Sequence, residues 1–372
     1  VAQSVSRPTS RYLYEEIRDE IRARIEQGRY TEGERLPSTR DFVDEFSTTP
    51  VTINKALADL VETGHIHRVP KSGSFVNSRS DWATGRRQRT GIVGIVAFDT
   101  NVSIYWTKVV EAMQDALEER GYHAIIGYSD HSYEKALSYV DDLVEKGIDG
   151  LIFVPIDDQS REDYQTHNEA VCERIEEYGI PFVLFDRRLS NMRFSSVTAD
   201  VYRAARELTE ALSQAGSRRP ACLTLDYSEA LWKREEAFRD HASRLGMELA
   251  PDAIRRFRGS RIRPEDSERL AELLSGGGDF DGLFIINSGL YNGFLRAETL
   301  LGRRYDVPIV TFRDVETQEP TRPVARALQP VHRFGYAAGE LLARMIDGEV
   351  PGIDHGSALH VVLPIDIEYP TR

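Results

Sequence analysis

Apolar positions along the chain follow two different rhythms. From residue 11 to residue 76 they recur at helical spacing. Leu13, Ile17, Ile21 and Ile25 mark a first amphipathic helix that ends near Gly28. Pro37 precedes Ser38-Thr39-Arg40-Asp41, where Ser38 as N-cap and Asp41 three residues on make a capping box for a short second helix through Phe46. Thr49 caps a third helix, with Pro50 in the first position, where a missing N–H costs nothing. Ile53, Leu57, Leu60 and Val61 form its buried stripe, and Gly64 is its stop. Two strand-like pieces follow, Ile66–Val69 and Ser74–Val76, joined by Pro70-Lys71-Ser72-Gly73 as a hairpin tip. Three helices and a hairpin predict a winged helix-turn-helix over residues 1–76.

Residues 77–90 are polar, without apolar periodicity, and read as a linker. The second rhythm starts at Gly91–Phe98, a strand signal, after which helical and strand patterns alternate to the end. Helices are expected over Thr107–Arg120, Tyr133–Lys146, Arg161–Tyr178, Val201–Gln214, Trp232–Leu245, Pro264–Leu274, Tyr291–Leu301 and Arg333–Ile346. Strands are expected over His123–Tyr128, Gly150–Val154, Pro181–Phe185, Ala221–Leu225, Gly282–Ile286 and Val307–Phe312. These short runs are continuously apolar, as in strands covered on both faces. Repeated β-α units predict parallel sheets, and the length of 91–372 predicts two α/β lobes.

Composition narrows the class. A chain of 372 residues, 41 % hydrophobic and 29 % charged, is long enough for two or three globular domains. No apolar run is long enough to span a bilayer, and the first eight residues hold no apolar stretch, so neither a membrane span nor a signal peptide is expected. Cys172 and Cys222 are the only cysteines, which excludes a disulfide scaffold and fits the cytoplasm. The net charge of -13 is unevenly spread. Residues 1–90 carry 15 basic and 13 acidic side chains, leaving 32 basic and 47 acidic ones for the remainder. Two modules with different partners would produce that asymmetry.

In a winged helix the third helix enters the DNA major groove by its N-terminal end. Thr49, Thr52, Asn54 and Lys55 lie off its buried stripe and are candidates for bases or phosphates, and Arg40 for phosphate or guanine. Lys71 and the backbone amides of Ser72 and Gly73 are candidates for gripping the sugar-phosphate strand. On the three-helix pattern alone, a small helical domain without DNA is an equal alternative. Tyr12–Val76 resembles the GntR-type regulators through Leu36-Pro37-Ser38-Thr39-Arg40, Thr52–Leu57, Leu60–Ile66 and Ser72–Val76, in that order. The resemblance implies sequence-specific DNA binding. Pro50 stands where that family often has Arg, so Thr49 or Asn54 is expected to replace its base contact.

In open α/β sheets ligands bind outside the carboxyl ends of the strands. Asp99 and Asn101, Asp186 and Arg187, Asn287, and Arg313 with Asp314 follow such strands. Carboxylate, amide and guanidinium groups suit sugar hydroxyls, and Tyr105, Trp106 and Trp232 offer aromatic faces, with core packing as their alternative role. From Gly91 onward the chain resembles the sensor domain of LacI-type repressors, itself similar to periplasmic sugar-binding proteins. Matching stretches include Gly147–Ile152, Ile180–Arg187, Val197–Asp200, Arg234–Phe238, Gly282–Asn287, Phe312–Asp314 and Leu328-Gln329. The resemblance implies a ligand cleft, with Arg234 and Gln329 added to its lining. It also implies two lobes joined by three crossings, at about 91–197 with 331–352 and about 198–328 with 355–372.

Arg313 stands where sugar-binding relatives often have Asp, which admits a sugar acid, although a pair with Asp314 is the plainer reading. No P-loop, HExxH or cysteine cluster is present, so no cofactor or metal is expected. Asp157-Asp158 reads as loop surface and the Arg86–Arg89 run as solvated linker. The combination is similar to the bacterial arabinose repressors. It implies a cytoplasmic, homodimeric, operator-binding repressor controlled by a carbohydrate. The alternatives are a ligand-dependent activator and a solute-binding protein of a transport system. An enzyme would need an acid–base pair in the cleft, where Asp99 and Asp186 are the only candidates.

Overall fold

The computed structural model describes residues 13–69, 72–78, 89–97, 104–157, 161–225, 228–257, 264–275, 280–313, 323–350 and 358–370. Lys71, Asp99, Asn101, Asp158, Asp314 and residues 79–88 of the expected linker lie outside them. The head consists of α1 (Leu13–Glu26), α2 (Thr39–Phe46), α3 (Pro50–Glu62), β1 (Ile66–Val69) and β2 (Gly73–Val76). Ile17, Ile21 and Ile25 of α1 close over Phe42 of α2 and Ile53, Leu57 and Leu60 of α3, all buried. Each such side chain contributes about 2 kcal/mol of burial. Leu13, expected on that stripe, is exposed at the end of α1. β1 and β2 pair antiparallel, Ile66 opposite Val76, and Arg35 adds a bridge to Phe75 on the outer edge.

The rest of the chain builds two six-stranded sheets. The first contains β3 (Ile92–Ala97), β4 (His123–Tyr128), β5 (Gly150–Phe153), β6 (Phe182–Phe185), β7 (Ser196–Ala199) and β13 (His360–Leu363). Their order is β13-β7-β6-β5-β3-β4, all parallel. The second contains β8 (Pro220–Leu225), β9 (Ile254–Phe257), β10 (Gly282–Ile285), β11 (Ile309–Arg313), β12 (Ala325–Leu328) and β14 (Asp366–Glu368). Its order is β14-β12-β11-β10-β8-β9, with only β14 antiparallel. The central strands β5, β6, β8 and β10 are buried along their whole length, which is why they read as unbroken apolar runs.

Helices α4 (Ile104–Glu118), α5 (Tyr133–Glu145), α6 (Arg161–Glu177) and α11 (Val331–Ile346) belong to the first lobe. Helices α7 (Val201–Gln214), α8 (Glu229–Arg244), α9 (Pro264–Ser275) and α10 (Ser288–Leu301) belong to the second. α11 returns from the second lobe to pack against α4. Gly335 and Gly339 permit that approach, since a Cβ at either would collide with the carbonyls of Val109 and Met113. The chain crosses between the lobes after β7, after β12 and after β13.

Two expectations need correction. Residues 355–372 were expected in the second lobe, yet His360–Leu363 pairs with β7 of the first, and only Asp366–Glu368 joins the second sheet. The edge of the first sheet is completed from the far end of the chain, which local pattern cannot reveal. Arg89, expected as solvated linker, is anchored to the first lobe. It bonds the Asp347 carboxylate, the Ile346 carbonyl at 2.5 Å and the Tyr122 hydroxyl at 3.0 Å. Burial opposes ionisation of Asp347, but the bonds from Tyr122, Arg89 and Arg120 outweigh it and hold that carboxyl below its usual range.

Candidate DNA interface and ligand cleft

The start of α3 is fixed by its cap. The Thr49 side chain accepts from the Thr52 N–H, and the two hydroxyls share a 2.9 Å hydrogen bond. The preceding turn is set by a capping box in which Ser38 and Asp41 satisfy each other's backbone amides. Arg40 and Thr49 are exposed beside this cap, and Val51 projects outward at 77 % exposure. Val51 was not singled out from sequence, although it lies outside the apolar stripe. An exposed apolar side chain in this place suits a thymine methyl.

Other head residues are more engaged than expected. Lys55 Nζ sits 3.9 Å above the Tyr14 ring. Asn54 turns its carbonyl oxygen inward, accepting from Thr39 Oγ1 at 3.3 Å and Arg68 Nη2 at 3.2 Å. The Ser72 amide donates to the Val69 carbonyl within the hairpin turn and so does not face outward, contrary to the sequence reading. Gly73 takes a left-handed φ of +113°, with the Arg35 guanidinium close over it. Arg35 is exposed and was missed as a cation of the wing edge.

The sensor residues gather at the carboxyl ends of both sheets. In the first lobe Asp186 follows β6 with φ +67°, a left-handed conformation that Asp adopts more readily than most non-glycine residues. Arg187 is fixed beneath it. Its Nη1 donates to the Pro155 carbonyl at 2.7 Å and pairs with Asp157 Oδ1 at 2.7 Å, and its Nε lies 3.5 Å from Asp186 Oδ2. The Arg187 and Asp157 side chains are 4 % and 5 % exposed. Asp157 is therefore part of the cleft floor and not loop surface. Its neighbour in sequence, Asp158, lies outside the described residues. Trp106 lies edge-on to Phe185 at 6.0 Å and to Tyr105 at 5.5 Å, both rings packing on the first core.

In the second lobe buried Arg234 donates to the Ile286 carbonyl at 2.9 Å and lies 3.8 Å over the Phe312 ring. It thereby links the ends of β10 and β11. Asn287 Oδ1 caps α10 by accepting from the Leu290 N–H, which leaves the Nδ2 end of the amide as its ligand-facing candidate. Arg313 lies 3.8 Å from Glu368 of β14; Asp314, its expected partner, lies outside the described residues. The Gln329 N–H donates to the Arg313 carbonyl at 3.1 Å, at the crossing into α11. The structure thus brings Arg234, Asn287, Arg313 and Gln329 together, and separately Asp186, Arg187, Tyr105 and Trp106.

Trp232 of α8 packs on the first lobe's core and meets Tyr164 of α6 edge-on, with ring centroids 6.1 Å apart. Beside it a cavity of about 370 Å³ lies between Gln165, Arg188 and Ser190 on one side and Glu229, Lys233 and Glu236 on the other. Of its lining, only Trp232 was singled out from sequence. Among the described residues no group of three metal-ligating side chains occurs, and no helix is long and apolar enough to cross a membrane.

Comparison with known proteins agrees with this geometry. Residues 13–76 match the bacterial regulatory proteins of the gntR family, and residues 93–349 match the periplasmic binding protein domain. Catabolite control protein A of Staphylococcus xylosus is 27 % identical over 289 residues, covering 76 % of this chain and 81 % of that protein. The arabinose metabolism transcriptional repressor of Geobacillus stearothermophilus is 22 % identical over 209 residues, covering 56 % of this chain and 55 % of that protein. Among solved structures, the transcriptional regulator CelR in complex with cellobiose superposes with a TM-score of 0.63 at 20 % identity, over 87 % of this chain and 90 % of that one. The chain belongs to the periplasmic binding protein domain family and carries, ahead of that domain, the DNA-binding domain of the gntR family of bacterial regulators.

Proposed function

We propose that the protein is a ligand-controlled transcriptional repressor of the cytoplasm and not an enzyme. The head reads operator DNA, and a carbohydrate or sugar acid in the cleft changes its hold. The observation that carries this reading is the joining of a winged helix to a two-lobed sensor, each with polar side chains set for a different partner. On the head these are Arg40, Thr49, Thr52, Asn54 and Lys55; the reading extends this set to the wing at Ser72, Gly73 and Lys71, the last outside the described residues. In the cleft they are Asp186, Arg187, Arg234, Asn287, Arg313 and Gln329 with the rings of Tyr105 and Trp106; the reading extends this set to Asp99 and Asp314, which lie outside the described residues. The names of its relatives support the reading, since two are regulators of sugar metabolism or catabolite control and CelR was solved with cellobiose. A ligand acts by its differential affinity for one lobe arrangement. Two copies related by a two-fold axis would set two heads over a pseudo-palindromic site.

The test is a thermal-shift screen of the full chain against monosaccharides, disaccharides and sugar acids, followed by mobility shifts on duplexes selected from a random library. A sugar should raise the melting temperature and change the selected duplex's affinity. Arg234→Ala should abolish the sugar's shift and leave DNA affinity in its absence unchanged. A variant that still responds to the sugar removes Arg234 from the site, and a chain that selects no duplex ends the reading.

A further inference from the structure

We propose that Arg68 latches the DNA-reading head to the first lobe and that α6 carries the state of the inter-lobe cleft to this latch. This rests on reading head and sensor as parts of one regulator. Arg68 lies in β1 and points into the seam between head and sensor. Its Nη1 donates to the Glu177 carbonyl at the end of α6. Its Nη2 reaches the Asn54 side-chain oxygen at 3.2 Å and the Asn54 carbonyl at 3.5 Å. One guanidinium therefore ties the recognition helix to a sensor helix. Burial lowers the Arg68 pKa to about 10, against the opposing pull of Glu177 and Tyr178, so it remains charged at neutral pH. Among the described residues no carboxylate lies within ion-pair distance of it. A cation held by neutral carbonyls is released more readily than one in a buried ion pair.

The surfaces beside Arg68 fit the same contact. Gly179 turns the chain after α6 with a φ of +66°, and Val61 of α3 packs over it, 3.4 Å from where a Cβ would stand. Tyr178 fastens this end of the helix by donating to Asp141 of α5 at 2.6 Å. The far end of α6 lies at the cleft. Tyr164, in its first turn, is the first lobe's contact with Trp232 of the second. At 1.5 Å per residue the helix spans about 20 Å between the two contacts. A change in lobe closure that moves Trp232 displaces one end of a rigid rod whose other end holds the head. Release of the latch frees both Arg68 and the inward-turned oxygen of Asn54 for DNA.

Hydrogen exchange read by mass spectrometry on the full chain, with no sugar and no DNA, tests this. Arg68→Gln should raise exchange at least tenfold in two places together, residues 58–64 and residues 174–180, with α1 and β10 unchanged. Gly179→Asn, whose side chain tolerates a left-handed φ, presses on Val61 from the sensor side and should give the same pair of changes. It decides the matter if Arg68→Gln loses protection throughout the head and so reports only a folding defect. Unchanged exchange at 174–180 in Arg68→Gln, or in Gly179→Asn where that defect occurs, overturns the latch. Trp232→Ala removes the cleft end of the rod and should raise exchange at 58–64, and no change there overturns the relay. Because no sugar is used, failure of the ligand-controlled reading shows only in the thermal-shift screen and is not confused with failure of the latch.

Discussion

Two arginines of the head and two of the sensor are held in opposite ways. Arg35 and Arg40 of the head are exposed, and their neighbourhood is kept in shape by local caps and a hairpin. Arg187 and Arg234 of the sensor are buried and bonded to carbonyls at the ends of strands. An exposed cation interacts weakly with its own protein, so removing it changes what the surface attracts and little else. A buried cation is part of the structure around it, and removing its partner leaves a charge without compensation. The same residue type is left open to solvent in one region and braces the ends of strands in the other.

The sharpest way to break this contrast is Asp157→Ala. Arg187 would keep the Pro155 carbonyl and the longer 3.5 Å contact with Asp186 but lose its closest, most buried carboxylate. The expected cost is about 3–5 kcal/mol, read as a lower urea midpoint for the full chain. Arg187→Gln combined with Asp157→Asn should cost less than the sum of the single changes, since neither is then an unpaired charge. A single-variant loss under about 1 kcal/mol means that water reaches the pair and that the cleft floor is not a dry brace.

A smaller effect is expected on the head. Arg40→Ala with Lys55→Ala should leave the urea midpoint unchanged within about 0.5 kcal/mol. It should lower the slope of log affinity against log salt on duplex DNA by about 1.8, the value for two lost phosphate contacts. Fluorescence anisotropy between 50 and 200 mM salt measures this slope without knowledge of the operator. Lys55 is the more informative of the two. Its ammonium sits over Tyr14, and a single Lys55→Ala change that alters stability but not the slope would make it a brace of α1 on α3, eroding the contrast between the regions.

The contrast also explains what the sequence could and could not disclose. Head elements are specified by neighbours a few residues apart, so Ser38 with Asp41, Thr49 with Pro50, and the stop at Gly64 are readable in place. Buried central strands are readable as apolar runs. Short strands that carry charge are not: Ile254–Phe257 holds two arginines, Ala325–Leu328 one, and Asp366–Glu368 two acids. Their pairing depends on strands far away in the chain. The cleft was half legible for the same reason. Positions after strands marked Asp186, Arg187 and Asn287, but the inward turn of Asp157, the Arg313–Glu368 pair and the seam around Arg68 arise only from tertiary contacts.

The smallest effect concerns a head residue that behaves like a sensor one. His65 is buried between α1 and the wing, with Nδ1 2.9 Å from Thr63 Oγ1 and Nε2 3.6 Å from a Glu26 carboxylate oxygen. Burial lowers its pKa below the ordinary value of 6.5; Glu26 opposes that shift and Arg22 adds to it. On acidification the unfolded head takes up the proton first, while folded His65 stays neutral. Its contribution to stability is therefore present above the unfolded pKa and is lost as pH falls from that value through the lower folded one. Exchange in α1 and α3 of the full chain, corrected for the intrinsic rate at each pH, should show less protection at pH 5.5 than at pH 7.5. His65→Gln should flatten this dependence, because it removes the titrating group from a site that favours the uncharged form. An unaltered dependence in that variant would mean that Glu26 keeps the imidazolium as comfortable inside the head as in water, so that burial alone does not separate braces from readers.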